Sequence, residues 1–480
     1  MNSEFLLGET LINKYTNGFM YVDYPHKSVW SQDFNDTDYR AALKRLFVDQ
    51  NERPVKLYVH IPFCEKLCFY CLCHRVITRD YDKVKSYMQI LYKEIALLKA
   101  FFDQHGIKPN FREIHLGGGS PTVLRTPEFD ELVDHLSSII DFSLVDEFSI
   151  EIDPRSVKDD LDRVRHYHKR GVTRISVGVQ DFDPIVQKTI NRVQPRELID
   201  ALLVPDIREK FESVNFDVLV GLPMQTRESF QKTIATVIEM APDRIDLAFF
   251  NYAPRNQPHM KVLENANRPN DIERHQLFLE ATKALVESGY VRIGFDHFAL
   301  ATDRQAKAMT AKKLKWNSLG YSPGSCNDML GIGLGSSSVL SDEYYCQNFY
   351  EQELYTASLD KGMFPVFRGY MLSQEDIMRR DIIQQLRSYY HLDFADLGKK
   401  YNINFVEYFS GELKVLQEFM QDGIVTLTPE ELKISEVGKH FCNIVCRVFD
   451  GYNRGDGFPD NFFEINRTSG FGITSPNVIK

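Results

Sequence analysis

Four of the eight cysteines in this 480-residue chain lie within ten positions, at Cys64, Cys68, Cys71 and Cys73. The first three have the spacing C-x3-C-x2-C. Cysteine thiolates are soft ligands that suit zinc and iron–sulfur clusters. A structural zinc site takes four ligands, usually as two separated pairs, whereas three thiolates in one short loop suit three irons of a [4Fe–4S] cube. We therefore predict that Cys64, Cys68 and Cys71 bind a [4Fe–4S] cluster whose fourth iron is open to a small molecule.

Two neighbours of these cysteines have more than one possible role. Cys73 is a further ligand, a group on the substrate side, or a small residue near the cluster, and we expect that it does not bind iron. Tyr70 lies between two ligands and must therefore sit beside the cluster. It either shields the cluster from water, which tunes the reduction potential, or stacks on a bound aromatic ring.

The elements that position this loop follow a regular order. From about residue 56 to 300, short β-rich runs alternate with segments of helical periodicity. This alternation implies parallel strands joined by helical crossovers. Six or more such units predict an α/β fold, a TIM-like β/α barrel that is complete or partial. The expected strands are 57–61, 112–116, 147–152, 174–179, 214–220, 244–250 and 291–295, and the expected helices are 81–104, 126–140, 159–170, 229–240 and 271–288.

In barrels of this kind the active site lies at the carboxyl ends of the strands. Every unusual motif in the chain directly follows an expected strand, so we expect all of them to share one site. The motifs are the cysteine loop, Gly117-Gly118-Gly119-Ser120, Asp153-Pro154, Gln180-Asp181-Phe182, Gly221-Leu222-Pro223, Asn251-Tyr252-Ala253-Pro254 and Asp296-His297-Phe298.

Several polar residues at these strand ends are candidates for binding a ligand. Glu151 and Asp153 alternate along one strand and therefore face the same side. Glu151, Gln180 and Asp217 are suited to hydrogen bonds with a ribose, and Arg192 is suited to a carboxylate. The alternative for each is a satisfied internal polar network. The strand histidines likewise have either a structural or a catalytic role; they are His60, His115 and His297.

The chain divides into three expected regions. Residues 1–55 are expected to form an arm or cap, 56–369 the barrel with an extension, and 370–480 a separate helical domain. Within the second region, the polar, Lys-rich stretch 300–315 is expected to be an exposed excursion.

Composition excludes several classes of protein. A net charge of −10 and a pI near 5.8 argue against general nucleic-acid binding. The sequence has no run of 18 apolar residues and no basic-then-apolar leader, so we expect neither a membrane span nor a secretory signal. Few cysteines, half of them in one loop, fit the reducing cytoplasm and a metal site better than a disulfide framework.

The motifs together resemble a known family. The run Tyr58-Val59-His60-Ile61-Pro62-Phe63-Cys64, its cysteine loop, and the later Gly-Gly-Gly and Gly-Leu-Pro motifs resemble the radical S-adenosylmethionine (SAM) enzymes. Further motifs look most like the oxygen-independent coproporphyrinogen III oxidase (dehydrogenase) family, and this likeness covers nearly the whole chain. These motifs are Phe250-Asn251-Tyr252-Ala253, Asp296-His297-Phe298, Arg368-Gly369, Arg379-Arg380-Asp381 and Phe449-Asp450.

The resemblance implies a radical oxidoreductase of porphyrin and haem biosynthesis. The open iron would chelate SAM, and one electron would cleave SAM to methionine and a 5′-deoxyadenosyl radical. That radical would take a hydrogen from the β-carbon of a propionate, after which loss of CO₂ and of one more electron leaves a vinyl group. Two propionates react, which gives protoporphyrinogen IX. The implied partners are the tetrapyrrole substrate and an electron donor such as flavodoxin or ferredoxin, and the implied enzyme is a monomer.

The resemblance also implies roles for individual residues. Tyr58 would lie near the methionine part of SAM and act in catalysis with the three cluster cysteines, and Tyr70 would lie beside the cofactor. Asp217 would touch both this SAM and a second SAM molecule that the family binds beside it. The residues implied to line the first SAM site are Gly118, Gly119, Glu151, Gln180, Arg192, Asp217 and Ala253.

Two departures from the family pattern concern the substrate half of the site. Met20 stands where the family tends to have arginine, and Leu319-Gly320-Tyr321-Ser322-Pro323-Gly324 stands in place of Gln-Gly-Tyr-Thr-Thr-Gln. Both leave the radical-generating half intact. Two alternative functions therefore stay open. One is a related enzyme that modifies another tetrapyrrole or transfers a methyl group, and the other is a non-catalytic haem-binding descendant.

Overall fold

A computed structural model of the chain describes residues 9–15, 23–317, 319–324, 326–452, 458–460 and 462. Met20, whose departure from the family pattern is noted above, lies outside the described residues. The described strands are β1 (Val55–Ile61), β2 (Phe63–Cys64), β3 (Val76–Ile77), β4 (Phe111–Gly118), β5 (Glu147–Ile152), β6 (Arg174–Gln180), β7 (Ser213–Val220), β8 (Arg244–Phe249), β9 (Tyr290–Ile293), β10 (His297–Leu300), β11 (Lys315–Asn317), β12 (Gly320–Ser322), β13 (Asp328–Ile332), β14 (Ser337–Leu340), β15 (Tyr344–Asn348), β16 (Val366–Met371), β17 (His391–Asp393), β18 (Val425–Leu427) and β19 (Glu431–Ile434).

The helices connect these strands and cover the main sheet. Among the described helices, none combines the length and apolar character needed to cross a membrane. The α-helices are α1 (Glu9–Tyr15), α2 (Asp36–Lys44), α3 (Tyr81–His105), α4 (Thr126–Leu136), α5 (Pro154–Val157), α6 (Leu161–Lys169), α7 (Pro184–Thr189), α8 (Arg196–Asp200), α9 (Pro205–Arg208), α10 (Arg227–Met240), α11 (Asp271–Glu287), α12 (Arg304–Thr310), α13 (Gln352–Asp360), α14 (Gln374–Tyr389), α15 (Phe394–Tyr401), α16 (Phe405–Tyr408), α17 (Ser410–Gln421) and α18 (Cys442–Val448).

The predicted α/β barrel is confirmed, and it is partial. One sheet has the strand order β16-β15-β14-β13-β1-β4-β5-β6-β7-β8-β10-β9, and its two edge strands are not paired with each other. Strands β13, β1 and β4 to β8 run parallel. The expected strands and helices of this region are present, with ends that differ by four residues or fewer from the predicted ones.

Both edges of the sheet depart from the regular alternation. At one edge, β14, β15 and β16 are antiparallel additions that the sequence pattern does not reveal. At the other edge, the expected strand 291–295 is β9, but it pairs with β10, which runs antiparallel to β8. β9 follows the crossover helix α11 and runs in the same direction as β8, but β10 turns back at once and lies between the two strands.

The prediction that 300–315 is an exposed excursion is wrong. This stretch contains α12, and Ala306, Ala308 and Leu314 pack with residues of β9, β10 and β12 in a small apolar cluster. Asp303, which caps α12, is buried and accepts a hydrogen bond from Arg244 at 2.8 Å. The lysines that suggested an excursion face solvent from the other side of the same segment, since Lys307, Lys312 and Lys313 are exposed.

Residues beyond β16 are mainly helical, and they also form the three-stranded sheet β17-β19-β18. Their apolar core includes side chains from the start of the chain, Ile12 and Tyr15 of α1 and Tyr24, as well as Phe295 from the barrel. The two ends of the chain thus pack together beside the barrel. The three predicted domain boundaries stay predictions.

A buried carboxylate ties the Gly-rich turn between β13 and β14 to α3. Glu94 accepts hydrogen bonds from the Gly333 N–H at 2.7 Å, from Asn348 Nδ2 at 2.8 Å and from the Tyr355 hydroxyl. The Tyr87 hydroxyl, about two turns before Glu94 in α3, accepts a hydrogen bond from the Leu334 N–H and donates one to the His60 carbonyl. These contacts fix the turn against β1, next to the cysteine loop.

We expect Glu94→Gln to change how stability depends on pH. Burial raises the pKa of Glu94 to about 7 from an ordinary 4.5, so the folded protein holds this proton more tightly than the unfolded chain does. The contribution of Glu94 to the free energy of unfolding is therefore greatest below pH 4.5 and falls by about 3 kcal/mol as pH rises to 7. Urea unfolding of the wild type and the variant between pH 4.5 and 8 measures this difference. The exposed Glu353→Gln is the matched control, and a difference that stays constant with pH would contradict the assignment.

Candidate active site

The cysteine loop is fixed at both ends by backbone contacts. It leaves β1 through Pro62, and its return strand β3 pairs with β2 in register Phe63 to Val76. In between, the Phe69 N–H donates to the Ile190 carbonyl at 3.0 Å and Asn191 Nδ2 donates to the Leu67 carbonyl at 2.8 Å. The segment after α7 therefore clamps the loop in place at the carboxyl ends of the strands.

Two arginines approach the buried Cys68 sulfur. Arg155 Nη2 lies 3.3 Å from Cys68 Sγ and Arg192 Nη1 lies 3.6 Å from it. Asp153 lies between the two guanidinium groups, at 2.6 Å from Arg155 and 3.6 Å from Arg192. With two cations and one carboxylate, this side of the loop is positive.

The sulfurs themselves need a cation. Burial, and then the neighbouring Cys71 and Cys68 sulfurs, raise the pKa of the Cys64 thiol to about 12. A hydrogen bond with Cys73 lowers the pKa of Cys71 to about 6 and raises that of Cys73 well above its ordinary value. Three adjacent thiolates are therefore stable here only with positive charge among them, which bound iron supplies.

The donor set fits an iron–sulfur cube better than a single metal ion. In the described part of the chain, no three His, Cys, Asp or Glu side chains are close enough to share one ion. A cube binds each thiolate on a separate iron, so its ligands lie farther apart than those of zinc. Cys64, Cys68 and Cys71 are free thiols in one loop and match that requirement.

A polar chain links the strand ends next to the loop. Tyr58 Oη lies 2.8 Å from His60 Nδ1, and the Tyr58 ring stacks on His115 at 5.9 Å. His115 Nε2 lies 3.2 Å from Glu151 Oε1, and Glu151 Oε2 accepts a hydrogen bond from the Gly118 N–H at 3.3 Å. Burial lowers the pKa of His60 to about 3 and lowers that of His115, so both imidazoles are neutral at pH 7.

The glycine run at the end of β4 is required by its protein neighbours. Gly118 has φ +119°, and a Cβ there would lie 2.6 Å from His60 Cε1. A Cβ on Gly119 would lie 2.7 Å from the Pro62 carbonyl. These glycines let β4 approach β1 and the base of the cysteine loop. A close approach to a ligand, which the sequence favours for this motif, stays a prediction.

The predicted cofactor-binding residues of later strands lie around the same end of the barrel. Gln180 ends β6 with φ +66°, and Arg192 Nη2 donates to the carbonyl of the nearby Gly178 at 2.7 Å. Asp217 on β7 accepts a hydrogen bond from Asn215 Nδ2 at 2.7 Å. Burial, and then the charges of Asp246 and Glu151, raise the pKa of Asp217 to about 8, so it is mostly protonated at pH 7 and can donate a hydrogen bond.

The remaining two predicted residues lie beyond β8 and in the cysteine loop. The Ala253 N–H points at Met260 Sδ, 3.3 Å away. Tyr70 is half-buried and packs on an apolar cluster. Burial raises the pKa of Tyr70 well above the ordinary value; Arg192 lowers it, and Cys68 and Cys71 raise it. The Tyr70 hydroxyl is therefore close enough to these groups to interact with their charges. The apolar neighbours of Tyr70 are Val186, Ile190, Leu222, Phe250 and Leu263.

A cavity of about 880 Å³ opens beside these groups. Of the predicted site residues, the described cavity walls include Tyr58, Gly118 and Glu151, together with Cys73; the other predicted residues are not among its lining. The rest of the wall comes from the N-terminal segment, the cysteine loop, strands β1, β4 and β13, the loops after β8 and β11, and the antiparallel edge of the sheet. It is formed by Lys27, Gln32, His60, Leu72, His74, His115, Asn256, Gln257, Leu319, Met329, Gly335, Ser336, Ser337, Gln347, Tyr350, Glu351, Phe367 and Arg368.

Sequence reasoning missed most of these additional lining residues. Lys27, Gln32, Gln347 and Tyr350 belong to no recognisable motif, and β14 to β16 were not predicted. Arg368 was noted only within the family motif Arg368-Gly369. No local pattern in the chain could have found the others, because only the antiparallel pairing of these strands brings them to the cavity.

His297 is not among the lining of this cavity, although its motif follows the carboxyl end of β9 as predicted. Because β10 is antiparallel, His297 lies beside Asp246, the third residue of β8. Its imidazole lies 3.1 Å from Asp246 and 2.8 Å from Asp296. Burial disfavours the imidazolium, but these two carboxylates outweigh burial and raise the pKa of His297. It therefore belongs to a charged network inside the barrel.

The segment 319–324, where the chain departs from the family pattern, contacts both the cavity and Glu113. Leu319 lines the cavity, and Ser322 Oγ donates to both oxygens of Glu113 at 3.0 Å. A Cβ at Gly324 would lie 1.9 Å from Glu113 Oε1. Glu113 thus occupies the space that a side chain at position 324 would need, so glutamine cannot be restored there without moving Glu113.

Comparison with known proteins gives consistent matches. The family model of the radical SAM superfamily matches residues 58–237. The oxygen-independent coproporphyrinogen III oxidase of Escherichia coli strain K12 is 36% identical over 447 residues, 92% of this chain and 95% of that protein. The enzyme of the same name from Helicobacter pylori strain J99 is 34% identical over 441 residues, 91% of this chain and 95% of that protein.

A solved structure extends the likeness to the fold. The coproporphyrinogen III oxidase from E. coli, described as a radical SAM enzyme, superposes with a TM-score of 0.83 at 34% sequence identity. The match covers 90% of this chain and 97% of that one. The similarity in fold therefore extends over most of both chains.

We expect Cys68→Ser to abolish binding of the cluster. Serine cannot supply the soft thiolate that iron–sulfur clusters use, and it would also remove the contacts of Arg155 and Arg192 with sulfur. Iron and sulfide content and the visible absorption of the anaerobically reconstituted protein measure the loss. Cys442→Ser, a buried substitution in α18, is the control and should keep the cluster. Full cluster content in Cys68→Ser would rule out this ligand.

We expect Gln180→Ala to weaken SAM binding by about ten-fold while the iron content stays unchanged, as for loss of one hydrogen bond to a charged ligand. Equilibrium dialysis with labelled SAM measures the affinity, and the exposed Gln421→Ala serves as the control. An affinity equal to that of the wild type would remove Gln180 from the SAM site.

Proposed function

This chain belongs to the oxygen-independent coproporphyrinogen III oxidases of the radical SAM superfamily, and we propose that it converts coproporphyrinogen III to protoporphyrinogen IX. It is an oxidoreductase that uses a [4Fe–4S] cluster and SAM. The observation that carries the proposal is the three-cysteine loop at the rim of one large cavity, in a chain similar to this family over 92% of its length.

The cofactors supply the radical chemistry: when bound, the reduced cluster provides the electron that splits SAM, and the 5′-deoxyadenosyl radical removes a hydrogen atom from the propionate. Each turnover then releases CO₂ and one further electron and leaves a vinyl group. We assign the three sulfurs to Cys64, Cys68 and Cys71. Arg155 and Arg192 place positive charge beside Cys68.

Other residues of the chain hold and orient SAM in this proposal. Gly118, Gly119, Glu151, Gln180, Arg192, Asp217 and Ala253 line its site, with Tyr58 and Tyr70 alongside. Asp217, protonated at pH 7, can donate to a ribose oxygen, while Glu151 can accept from a ribose hydroxyl. Tyr58 keeps its proton, because burial and the charge of Glu151 hold its pKa well above the ordinary value.

The cavity suits a tetrapyrrole and protects a carbon radical. Its volume of about 880 Å³ lies at the upper end of the range for ligand sites. Tyr58, Tyr350 and Phe367 give it aromatic walls, on which a flat macrocycle can pack. With the substrate in place, little room is left for water or thiols that would quench the radical.

We further propose that the enzyme works as a monomer in the cytoplasm and receives electrons from a flavodoxin- or ferredoxin-like carrier. The cysteine loop supports the last point, because Glu65 and Lys66 of this loop are exposed and a protein donor can approach them. Light scattering and reduction by such a carrier in place of dithionite test these points; a stable dimer or a cluster that no carrier reduces would contradict them.

We expect the anaerobically reconstituted protein to decarboxylate coproporphyrinogen III. Incubation with dithionite, SAM and substrate should yield 5′-deoxyadenosine together with a tetrapyrrole that has lost two carboxyl groups as CO₂, and mass spectrometry of the tetrapyrrole measures this directly. Cys68→Ser is the matched control and should yield neither product.

The same measurement separates the two competing functions. Formation of 5′-deoxyadenosine with a tetrapyrrole that keeps all its propionates would favour an enzyme that modifies another tetrapyrrole or transfers a methyl group, for which the altered loop of Leu319 and Gly324 is the observation in support. Haem binding without any SAM cleavage would favour the non-catalytic descendant.

A further inference from the structure

The large cavity has two cations in the part of its wall formed by the N-terminal segment and the antiparallel edge of the sheet. Lys27, from the N-terminal segment, and Arg368, on β16, both line it. Among the described residues neither forms an ion pair with a carboxylate, whereas other half-buried or buried arginines of the barrel do, such as Arg174 with Glu147 at 2.8 Å. The charge of Lys27 also acts on the buried Asp23, and both cations are partly exposed to the cavity, so they can attract an anion that enters it.

The hydrogen bonds of these side chains leave donors free. Lys27 Nζ donates to Ser337 Oγ at 2.9 Å. Arg368 donates through Nε to Gln347 Oε1 at 2.9 Å and through Nη1 to the Lys27 carbonyl at 3.2 Å. An ammonium group has three N–H donors and a guanidinium group has five, so both retain donors for a ligand.

Their positions are held by groups that do not cancel their charge. The Trp30 ring centroid lies 5.4 Å from Lys27 Nζ and 5.7 Å from the Arg368 guanidinium carbon. Ser31 and Gly369 exchange two backbone hydrogen bonds, of 2.8 and 2.9 Å, which fasten the N-terminal segment to β16. The aromatic face and the backbone therefore orient both cations and leave their charge available.

This cationic pair lies far from the reacting end of the cavity. Strand β16 is separated from β1, which carries Tyr58, by β15, β14 and β13, or ~19 Å along the sheet at the usual strand spacing. A substrate group bound here is anchored and does not react. The two carboxylates of the wall, Glu151 and Glu351, would repel an anion elsewhere in the cavity.

We propose that Lys27 and Arg368 together bind a propionate carboxylate of the tetrapyrrole, and thereby set which part of the macrocycle faces Tyr58. This proposal rests on the proposed function and names the residues that position its substrate. A carboxylate accepts charge-assisted hydrogen bonds from both groups, and the macrocycle between this anchor and the strand ends spans the cavity.

The test uses Lys27→Met, Arg368→Met and the double variant in the reconstituted holoenzyme. Each single variant should raise KM for coproporphyrinogen III by about ten-fold or more, as expected for one hydrogen bond between charged groups. Lys27→Arg, which keeps the charge, should restore a low KM. The exposed Lys313→Met is the matched control and should leave KM unchanged.

A binding titration tests the anion site without catalysis. Fluorescence measures affinity for coproporphyrin III and for its tetramethyl ester, which has the same ring and no charge. The wild type should prefer the free acid by at least ten-fold, and the double variant should lose that preference. An unchanged KM, or a preference for the acid that survives in the double variant, overturns the proposal.

These experiments distinguish a failure of the anion site from a failure of the proposed function. If the wild-type enzyme never decarboxylates its substrate, the proposed function fails while the titration still reports on the anion site. Arg368→Met could unfold β16, but Lys27→Met disturbs only one side-chain hydrogen bond, and the Lys27 variants alone then decide the question.

Discussion

The arrangement depends on one constraint: three thiols held close together in a loop are stable as thiolates only with cations around them. The protein meets part of this need with Arg155 and Arg192 next to Cys68. Iron meets the rest. Because the loop is also pinned to the residues after α7 through Ile190 and Asn191, the sulfurs are fixed relative to the strand ends before any metal binds.

The barrel has two ends with different chemistry. At the amino ends of the strands, buried ion pairs fill the interior: Lys56 with Glu113 at 2.8 Å, and Arg244 with Glu147 at 3.1 Å and with Asp303 at 2.8 Å. Removing one partner of such a pair would leave an uncompensated buried charge, which explains why the network is complete. At the carboxyl ends, by contrast, donors and acceptors face a cavity, and this difference directs ligands to one end only.

The cavity is completed by parts of the chain that are remote in sequence from the cysteine loop. The segment carrying Lys27 lies on β16, and the turn between β13 and β14 is fastened to α3 by Glu94 and Tyr87. In this chain Met20 stands where the related family has arginine, yet the N-terminal segment still delivers one cation to the cavity. The N-terminal segment and the edge strands thus complete a cavity wall that the parallel strands begin.

The sequence by itself predicted the parallel strands β1 and β4 to β8, the cysteine loop and the family, but not the parallel strand β13. Alternating strands and helices are local patterns, and the ligand spacing is a property of one short loop, so both are visible without a structure. The same local reasoning failed where pairing is decided at a distance. It made 300–315 an excursion because lysines mark one face of α12, and it grouped His297 with the cavity because the pairing that sets His297 beside Asp246 of β8 is not visible in the sequence. Only the tertiary structure brought Lys27, Gln347 and Arg368 to one cavity wall, since antiparallel pairing of β14 to β16 and packing of the N-terminal segment join residues more than 300 positions apart.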